Sequence, residues 1–378
     1  MSDVHAFSLM GVAASTPLEA IRSAAPQEFD VWRSTVRNAV LANVSDFISA
    51  RCSADLDRQD IGAAGDILMD VAVGGKCLRS TFMYLGWLSG AAPSDAALSA
   101  SASLELLHAF ALLQDDVMDD SAQRRCRPAA HIQFAQWHRN RGLSGSAQRF
   151  GESAAIVLGD LCMIWAEQML RESGVEFQLL HQAWPRYDAM RTELAMGQLA
   201  DLTSDARDLP PLAAVLDVAR RKSGNYTVRR PLEIGAAMAG CAEQTVLELG
   251  RYGAAIGEAF QLRDDMLGVF GTPEVTGKPS GGDLRQRKAT SVVVVANELA
   301  SLPIRRALNG LMHCDNLDED ALTRWQELIV ETGAVQRIED MISARVAAAE
   351  GCLESAAIDA SVRAALANMA AACTERAE

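Results

Sequence analysis

The stretch LLQDDVMDDSAQRR, Leu112–Arg125, sets four aspartates within six positions behind an apolar run and closes on two arginines. Ser103–Met118, which leads into it, has the apolar spacing of one continuous helix. Four-residue spacing puts Asp115 and Asp119 on one face, with Asp116 and Asp120 in the adjacent row. His108, seven residues before Asp115, falls on nearly the same stripe. Like charges four apart repel by about 0.2–0.5 kcal/mol per pair on an exposed helix, and by more where water is scarce. A carboxylate stripe ending a mostly apolar helix therefore points to a cavity and a cation. Oxygen ligands without clustered Cys or His select a hard ion, Mg²⁺ or Mn²⁺. The competing reading is a solvated acidic helix end.

A second stretch of the same kind weakens that competitor. AAIGEAFQLRDDMLGVFG (254–271) runs from small and apolar residues into Asp264 and Asp265, and GQLADL (197–202) adds Asp201. Three helices each presenting Asp from apolar surroundings suggest carboxylates facing one another across a bundle core. Their repulsion, poorly screened in a cleft, calls for metal between them. Mg²⁺ held by few carboxylates completes its shell with water and phosphate oxygens. The basic residues then gain a role. Arg124 and Arg125 follow the first cluster by two turns, and GGKCLR offers Lys76 and Arg79 beside a flexible Gly-Gly turn. Lys222, Lys278 and Lys288 lie in or near loops by the other clusters. The chain has no GxxxxGK[ST], so a P-loop is not indicated.

The bulk properties set the frame. The chain has 378 residues, of which 49% are hydrophobic, enough for one large core or two. A formal net charge of −14 argues against nucleic acid as a partner. Eight cysteines without a C-x-x-C pair read as free thiols of a reducing cytosol. The first residues lack a basic region of the secretory type, and no uninterrupted apolar run reaches about 18 residues, so no membrane span and a cytoplasmic location are expected. Residues 1–26 have weak periodicity and read as a loosely ordered leader. From 27 to 378 the pattern is helical nearly throughout, with breaks at 73–77, 90–95, 138–149, 203–212 and 270–288. SVVVVANELA, from Ser291, is the one β-branched cluster; lacking partner strands, it reads as a buried helix. The expected fold is all-α, a single large helix bundle around a deep central cavity.

The motifs together resemble the trans-isoprenyl diphosphate synthases, the family of farnesyl and geranylgeranyl diphosphate synthases. The likeness runs from about Gly74 to Lys288 through GGKCLR, ELLHAFALLQDDVMDDSAQRRCRPAAH, LGDL, MGQLADL, RKSGNYTVRRPLEIGAAMAG, FQLRDDMLGVFG and TGKPSGGDLRQRK. It implies an all-α homodimer with two Asp-rich helices facing across the cavity. Asp115, Asp116 and Asp119 on one side and Asp264 and Asp265 on the other, helped by Asp201, would hold about three Mg²⁺ ions on an allylic diphosphate. Arg124, Lys222, Lys278 and Lys288 would grip that diphosphate. Isopentenyl diphosphate would lie in a metal-free pocket of Lys76, Arg79, His108 and Arg125. Gln261 and the Lys222–Ser223 pair would face the allylic carbon, and the released diphosphate would take the proton.

Three departures from the family pattern stand out. Gly268 occupies a position where many relatives carry a third Asp, Cys77 and Cys126 replace frequent Arg and Gly, and Gln114 replaces a frequent His. For product length the resemblance points to the fourth and fifth residues before the first motif, Ala111 and Phe110. It implies a geranylgeranyl (C20) product, with farnesyl (C15) or a mixture as the alternative. A class I terpene cyclase would lack GGKxxR, and an inert partner subunit would have lost aspartates or arginines that are intact here.

Overall fold

The computed structural model describes residues 26–56, 62–203, 209–271, 281–314 and 317–375. Among these residues, ten helices lead up to the second Asp pair: α1 Pro26–Arg51, α2 Ala63–Ala72, α3 Leu78–Leu88, α4 Asp95–Met118, α5 Ala130–Asn140, α6 Ala147–Arg171, α7 Phe177–Leu202, α8 Leu212–Ala219, α9 Arg230–Met238 and α10 Glu243–Phe270. Six more follow: α11 Gly282–Arg285, α12 Ser291–Leu299, α13 Leu302–Met312, α14 Glu319–Glu331, α15 Ala334–Ser355 and α16 Ala360–Thr374. The breaks fall where Gly, Pro and Asp cluster in the sequence, and α12 is the expected buried helix, with Val292–Val295 all buried. Apart from Pro26, which opens α1, the expected leader lies outside the described residues.

At the centre stands α4, capped by Ser94, whose hydroxyl accepts the Ala97 N–H at 3.3 Å. Leu104, Leu106 and Leu107 are fully buried, as expected of a helix apolar on every side. Its serines fit this setting because Ser101 and Ser103 donate to carbonyls of their own helix, at 2.8 and 2.6 Å. α6 packs along α4, α9 against α3, and α15 against α10. By length and composition alone α4 and α6 are long and apolar enough to cross a membrane. In the fold, 67% of the apolar window of α4 is buried against other helices, which identifies it as a core helix.

Two irregularities position the site. Arg220–Arg229, between α8 and α9, winds as a π-helix and carries Lys222 and Ser223; wide turns of this kind re-aim side chains and recur at functional sites. Glycines on the flanking helices let this segment in. A Cβ at Gly197 of α7 would lie 2.5 Å from the Lys222 nitrogen, and one at Gly257 of α10 would lie 2.5 Å from the Gly224 carbonyl. The second irregularity follows α4, which stops at Met118 as its apolar spacing predicts. Gln123–Arg124 pairs antiparallel with Arg127–Pro128, and the two residues between, Arg125 and Cys126, have φ of 52° and 60°. Two positive φ values in a two-residue loop are the type I′ signature, which explains why Gly is frequent at the Cys126 position.

Gly257→Ala is expected to cost about 1–3 kcal/mol in urea unfolding, because the new methyl must push the π-segment off α10. An unchanged midpoint would refute this account of the crossing.

Candidate active site

Asp115, the Asp264–Asp265 pair and the π-segment open onto one cavity of about 990 Å³. Asp115 comes from α4, Lys222 and Ser223 from the π-segment, and Gln261, Asp264 and Asp265 from α10. Asp119, Asp201 and Lys288 line an adjoining cavity that shares Lys222, Ser223, Gln261 and Asp265 with the first. The sequence thus separated by up to 169 positions residues that the fold joins directly: Lys288 Nζ donates to Asp119 Oδ2 at 2.9 Å.

Cations hold the carboxylates together. The Lys222 ammonium sits 2.6 Å from Asp201 Oδ2 and 3.2 Å from Asp115 Oδ1, bridging α7 and α4. Burial alone would raise the Asp115 carboxyl, but Lys222 and then Arg124 outweigh it and hold the group below the usual carboxylate range. Burial likewise opposes the charge on Lys222, yet Asp115 and Asp201 keep its pKa above the ordinary lysine value. Lys288 is raised in the same way, the burial penalty being overcome by Asp119.

The second member of each pair is engaged from within the protein. Asp116 is buried, and its Oδ1 accepts from Arg124 Nε at 3.0 Å and Nη2 at 2.5 Å. Asp265 is buried too; its Oδ2 accepts from the Ser291 N–H at 2.9 Å and hydroxyl at 2.6 Å, and its Oδ1 accepts from Gln261 Nε2 at 2.9 Å. Burial pushes the Asp265 carboxyl up, only partly offset by the bonds from Ser291 and Gln261. Both were expected among the metal ligands. In the fold Asp116 orients Arg124, and Asp265 ties α10 to the start of α12.

The basic pocket surrounds His108, two turns before Asp115 on the same stripe of α4. Lys76, Arg79 and His108 line the large cavity, and the Arg79 guanidinium stacks 4.3 Å over the Tyr226 ring. Arg125 packs on the Gly-Gly turn: a Cβ at Gly74 would meet its Nη1 at 2.7 Å, and Nη1 donates to the Val71 carbonyl at 3.2 Å. Arg37 of α1 holds the same turn, donating from Nε to the Gly75 carbonyl at 2.9 Å. Glu105, buried on α4, accepts from Ser80 Oγ at 2.8 Å. Among the described residues, Arg79 Nε and His108 Nδ1 are buried without a hydrogen-bond partner. Buried donors in that state call for an anionic or polar ligand. Phe110 and Ala111 line the same cavity further along α4, and Lys278 lies outside the described residues.

Four contributors went unnamed in the sequence. Gln198, inside the quoted GQLADL, approaches Asp115 Oδ1 at 3.5 Å. Glu105 had a signal, being the one charge in the apolar SLELLHAF run. Asp283, inside GGDLRQRK, lines both cavities. Arg37 had none, since only the fold brings α1 against the turn.

Residues 65–329 match the family model described as polyprenyl synthetase. The chain belongs to the polyprenyl synthetase family. It is 31% identical over 281 residues to the geranylfarnesyl diphosphate synthase of Aeropyrum pernix, across 73% of this chain and 82% of that one. To the (2E,6E)-farnesyl diphosphate synthase of Mycobacterium tuberculosis it is 32% identical over 221 residues, 57% of this chain and 55% of that one. The crystal structure of the geranylgeranyl pyrophosphate synthase of Corynebacterium glutamicum, complexed with isoprenyl diphosphate and magnesium, superimposes with a TM-score of 0.85 at 33% identity, covering 90% of this chain and 98% of that one. This polyprenyl synthetase is accordingly a prenyltransferase with the all-α fold of that family.

Within it, His108 is held neutral: burial first, then Arg79, Arg125 and Arg124, drive its pKa well below the ordinary histidine value. Between that lowered pKa and about 6.5 the unfolded chain binds one more proton than the folded one, so stability falls as pH falls through this window. The slope from one such group reaches about 1.4 kcal/mol per pH unit. His108→Asn should flatten denaturant-derived stability between pH 5 and 6.5, and an unaltered slope would remove His108 from the account.

Proposed function

We propose that the protein joins isopentenyl diphosphate head to tail onto allylic diphosphates, with Mg²⁺, and that its main product is geranylgeranyl diphosphate. The observation that carries this reading is the charge division of one cavity. Asp115 and Asp264 face Lys222 at one end, and Lys76, Arg79 and neutral His108 stand without carboxylate ligands for a metal at the other. Two anions with different requirements fit that division, one bound through metal and one bound by protein cations alone.

The donor set fits the metal. Asp115, Asp119, Asp201 and Asp264 supply only oxygens, and among the described residues no three acidic, His or Cys side chains form a ready-made cage. Mg²⁺ suits such a site, since it takes few carboxylates and fills its shell from phosphate and water. Three ions, held by those carboxylates, would neutralise the diphosphate and favour its departure. The chain's own groups do the rest. Lys222 and Arg124, both pre-aligned on Asp115, would turn to the departing diphosphate, joined by Lys288 and, by the family resemblance, Lys278. Lys76, Arg79, His108 and Arg125 would hold isopentenyl diphosphate with its double bond toward the allylic carbon, a positioning effect. Ser223 and Gln261 would line the path of the carbocation, and the surrounding apolar walls keep water from it. The departed diphosphate then takes the proton.

Product length rests on α4. Ala111 lies about 6 Å and Phe110 about 7.5 Å along the axis from Asp115 at 1.5 Å per residue. Ala111, on the Asp115 stripe, leaves room for a growing tail; Phe110 is turned about 140° away at 100° per residue. The relatives named for C25, C15 and C20 products bracket this estimate. A homodimer in the cytosol completes the proposal, in keeping with eight free cysteines.

The test is a product assay with Mg²⁺, labelled isopentenyl diphosphate and each allylic starter in turn. C20 that disappears with chelator, and falls at least about a hundredfold in Asp115→Ala, is the expected outcome. Ala111→Phe should shorten the product to C15 or less, and Phe110→Ala should lengthen it. C15 from the unmodified protein would place the floor at Phe110, and no elongation with any starter would end the synthase reading.

A further inference from the structure

Gly268 stands where the second Asp-rich motif would carry its third acidic residue, one turn after Asp264 on the same face of α10. The space beside it is taken. A Cβ at position 268 would lie 2.5 Å from Cγ of Asp283 and closer still to Oδ2, so no side chain fits at 268 while Asp283 keeps its place. Asp283 comes from a different element, α11, which begins after Gly281 at φ 66°. Its main-chain carbonyl accepts the Lys288 N–H at 2.9 Å, fixing the turn that also delivers Lys288 to Asp119. The Asp283 side chain lines both the large cavity, with Asp264 and Gln261, and the adjoining one, with Asp201 and Lys222.

We infer that Asp283 provides the third carboxylate of the second metal-binding cluster, and that Gly268 is small because the carboxylate arrives from α11. The motif DDMLG thus keeps its acidic count, with the last oxygen donor moved 15 positions along the chain. A hard divalent cation on Asp264 would find Asp283 as a further oxygen ligand, direct or through a bound water. This inference rests on the Mg²⁺ reading of the preceding section and adds a residue to it.

Mn²⁺ binding in the presence of inorganic diphosphate, followed by loss of the free-ion electron paramagnetic signal, tests it without turnover. Asp283→Asn should weaken the Mn²⁺–diphosphate complex at least about tenfold, with the thermal midpoint of the ion-free protein held. Gly268→Ala should weaken it too, since the methyl displaces the Asp283 carboxylate. The double variant Gly268→Asp/Asp283→Gly, which moves the carboxylate onto α10, should recover part of the affinity. Wild-type binding by Asp283→Asn beside impaired binding by Asp264→Asn would overturn the inference alone. Wild-type binding by Asp283→Asn, Asp264→Asn and Asp115→Asn together would overturn the metal reading and this inference with it.

Discussion

The Lys222 ammonium between Asp115 and Asp201 is the contact on which the site is organised. Two carboxylates brought this close at an effective dielectric near 20 repel by about 4 kcal/mol at 4 Å. Without a cation between them, α4 and α7 could not hold these faces together. Lys222 reaches the midpoint because it rides on a π-helical segment, and that segment reaches α7 and α10 because Gly197 and Gly257 have no side chains to bar it. The chain of cause runs from two glycines, through backbone contact, to the placement of one charge. On the proposed reading, the same ammonium would exchange its carboxylates for a diphosphate, so the interaction that steadies the site would also prepare it to bind.

The basic end of the cavity is built on the opposite principle. Arg79, His108 and Arg125 sit together with little carboxylate to offset them, Glu105 being the buried one at hand. Their mutual repulsion is tolerated because burial and the neighbouring guanidiniums keep His108 uncharged. A neutral imidazole lets three basic groups crowd where three cations would not. Buried, unpartnered nitrogens on Arg79 and His108 are costly in a folded chain. On the proposed reading, this difference in charge separates the two substrates more than any difference in shape.

Much of this was legible in the sequence. The Asp pairs at the ends of apolar helices, the Gly-Gly turn beside Lys76 and the buried character of Ser291–Ala296 follow from periodicity and charge, and the fold keeps each. What stayed hidden depends on packing between distant elements. Nothing in a linear reading distinguishes Asp115 from Asp116; the 100° between them turns one to the cavity and the other to Arg124. Asp265 is diverted in the same way by Ser291, 26 positions on. Arg37 carries no local pattern at all, because its partner is backbone on another element; Asp283 lies inside the quoted TGKPSGGDLRQRK, but only the fold shows it beside Gly268. The end of α4 at Met118 is where its apolar spacing stops; the hairpin after it stayed unread because two residues leave no hydrophobic period to detect, and its usual Gly is here a Cys.

That hairpin links the two halves of the cavity. The Arg124 side chain goes to the Asp115–Asp116 pair, and that of Arg125 goes back onto the Gly74–Gly75 turn. Arg124 ends the strand and Arg125 opens the turn at positive φ, so one tight ribbon serves the acidic end with one arginine and the basic end with the next. A helix continued past Met118 would have set the two guanidiniums only 100° apart, both leaning toward one end. The type I′ turn requires positive φ at Arg125 and Cys126, a conformation costing roughly 1–2 kcal/mol per non-glycine residue. Strain at this point is the consequence of dividing two adjacent arginines between two sites. The Arg124–Asp116 pair, with side chains 18% and 6% exposed, is the buried anchor that holds the turn in that conformation. Removing one partner of such a pair leaves a buried charge alone, at about 3–5 kcal/mol, more than the strain of the turn. The second Asp of the first motif thus has a physical reason to be there: it fixes the hairpin from which both ends of the cavity draw an arginine.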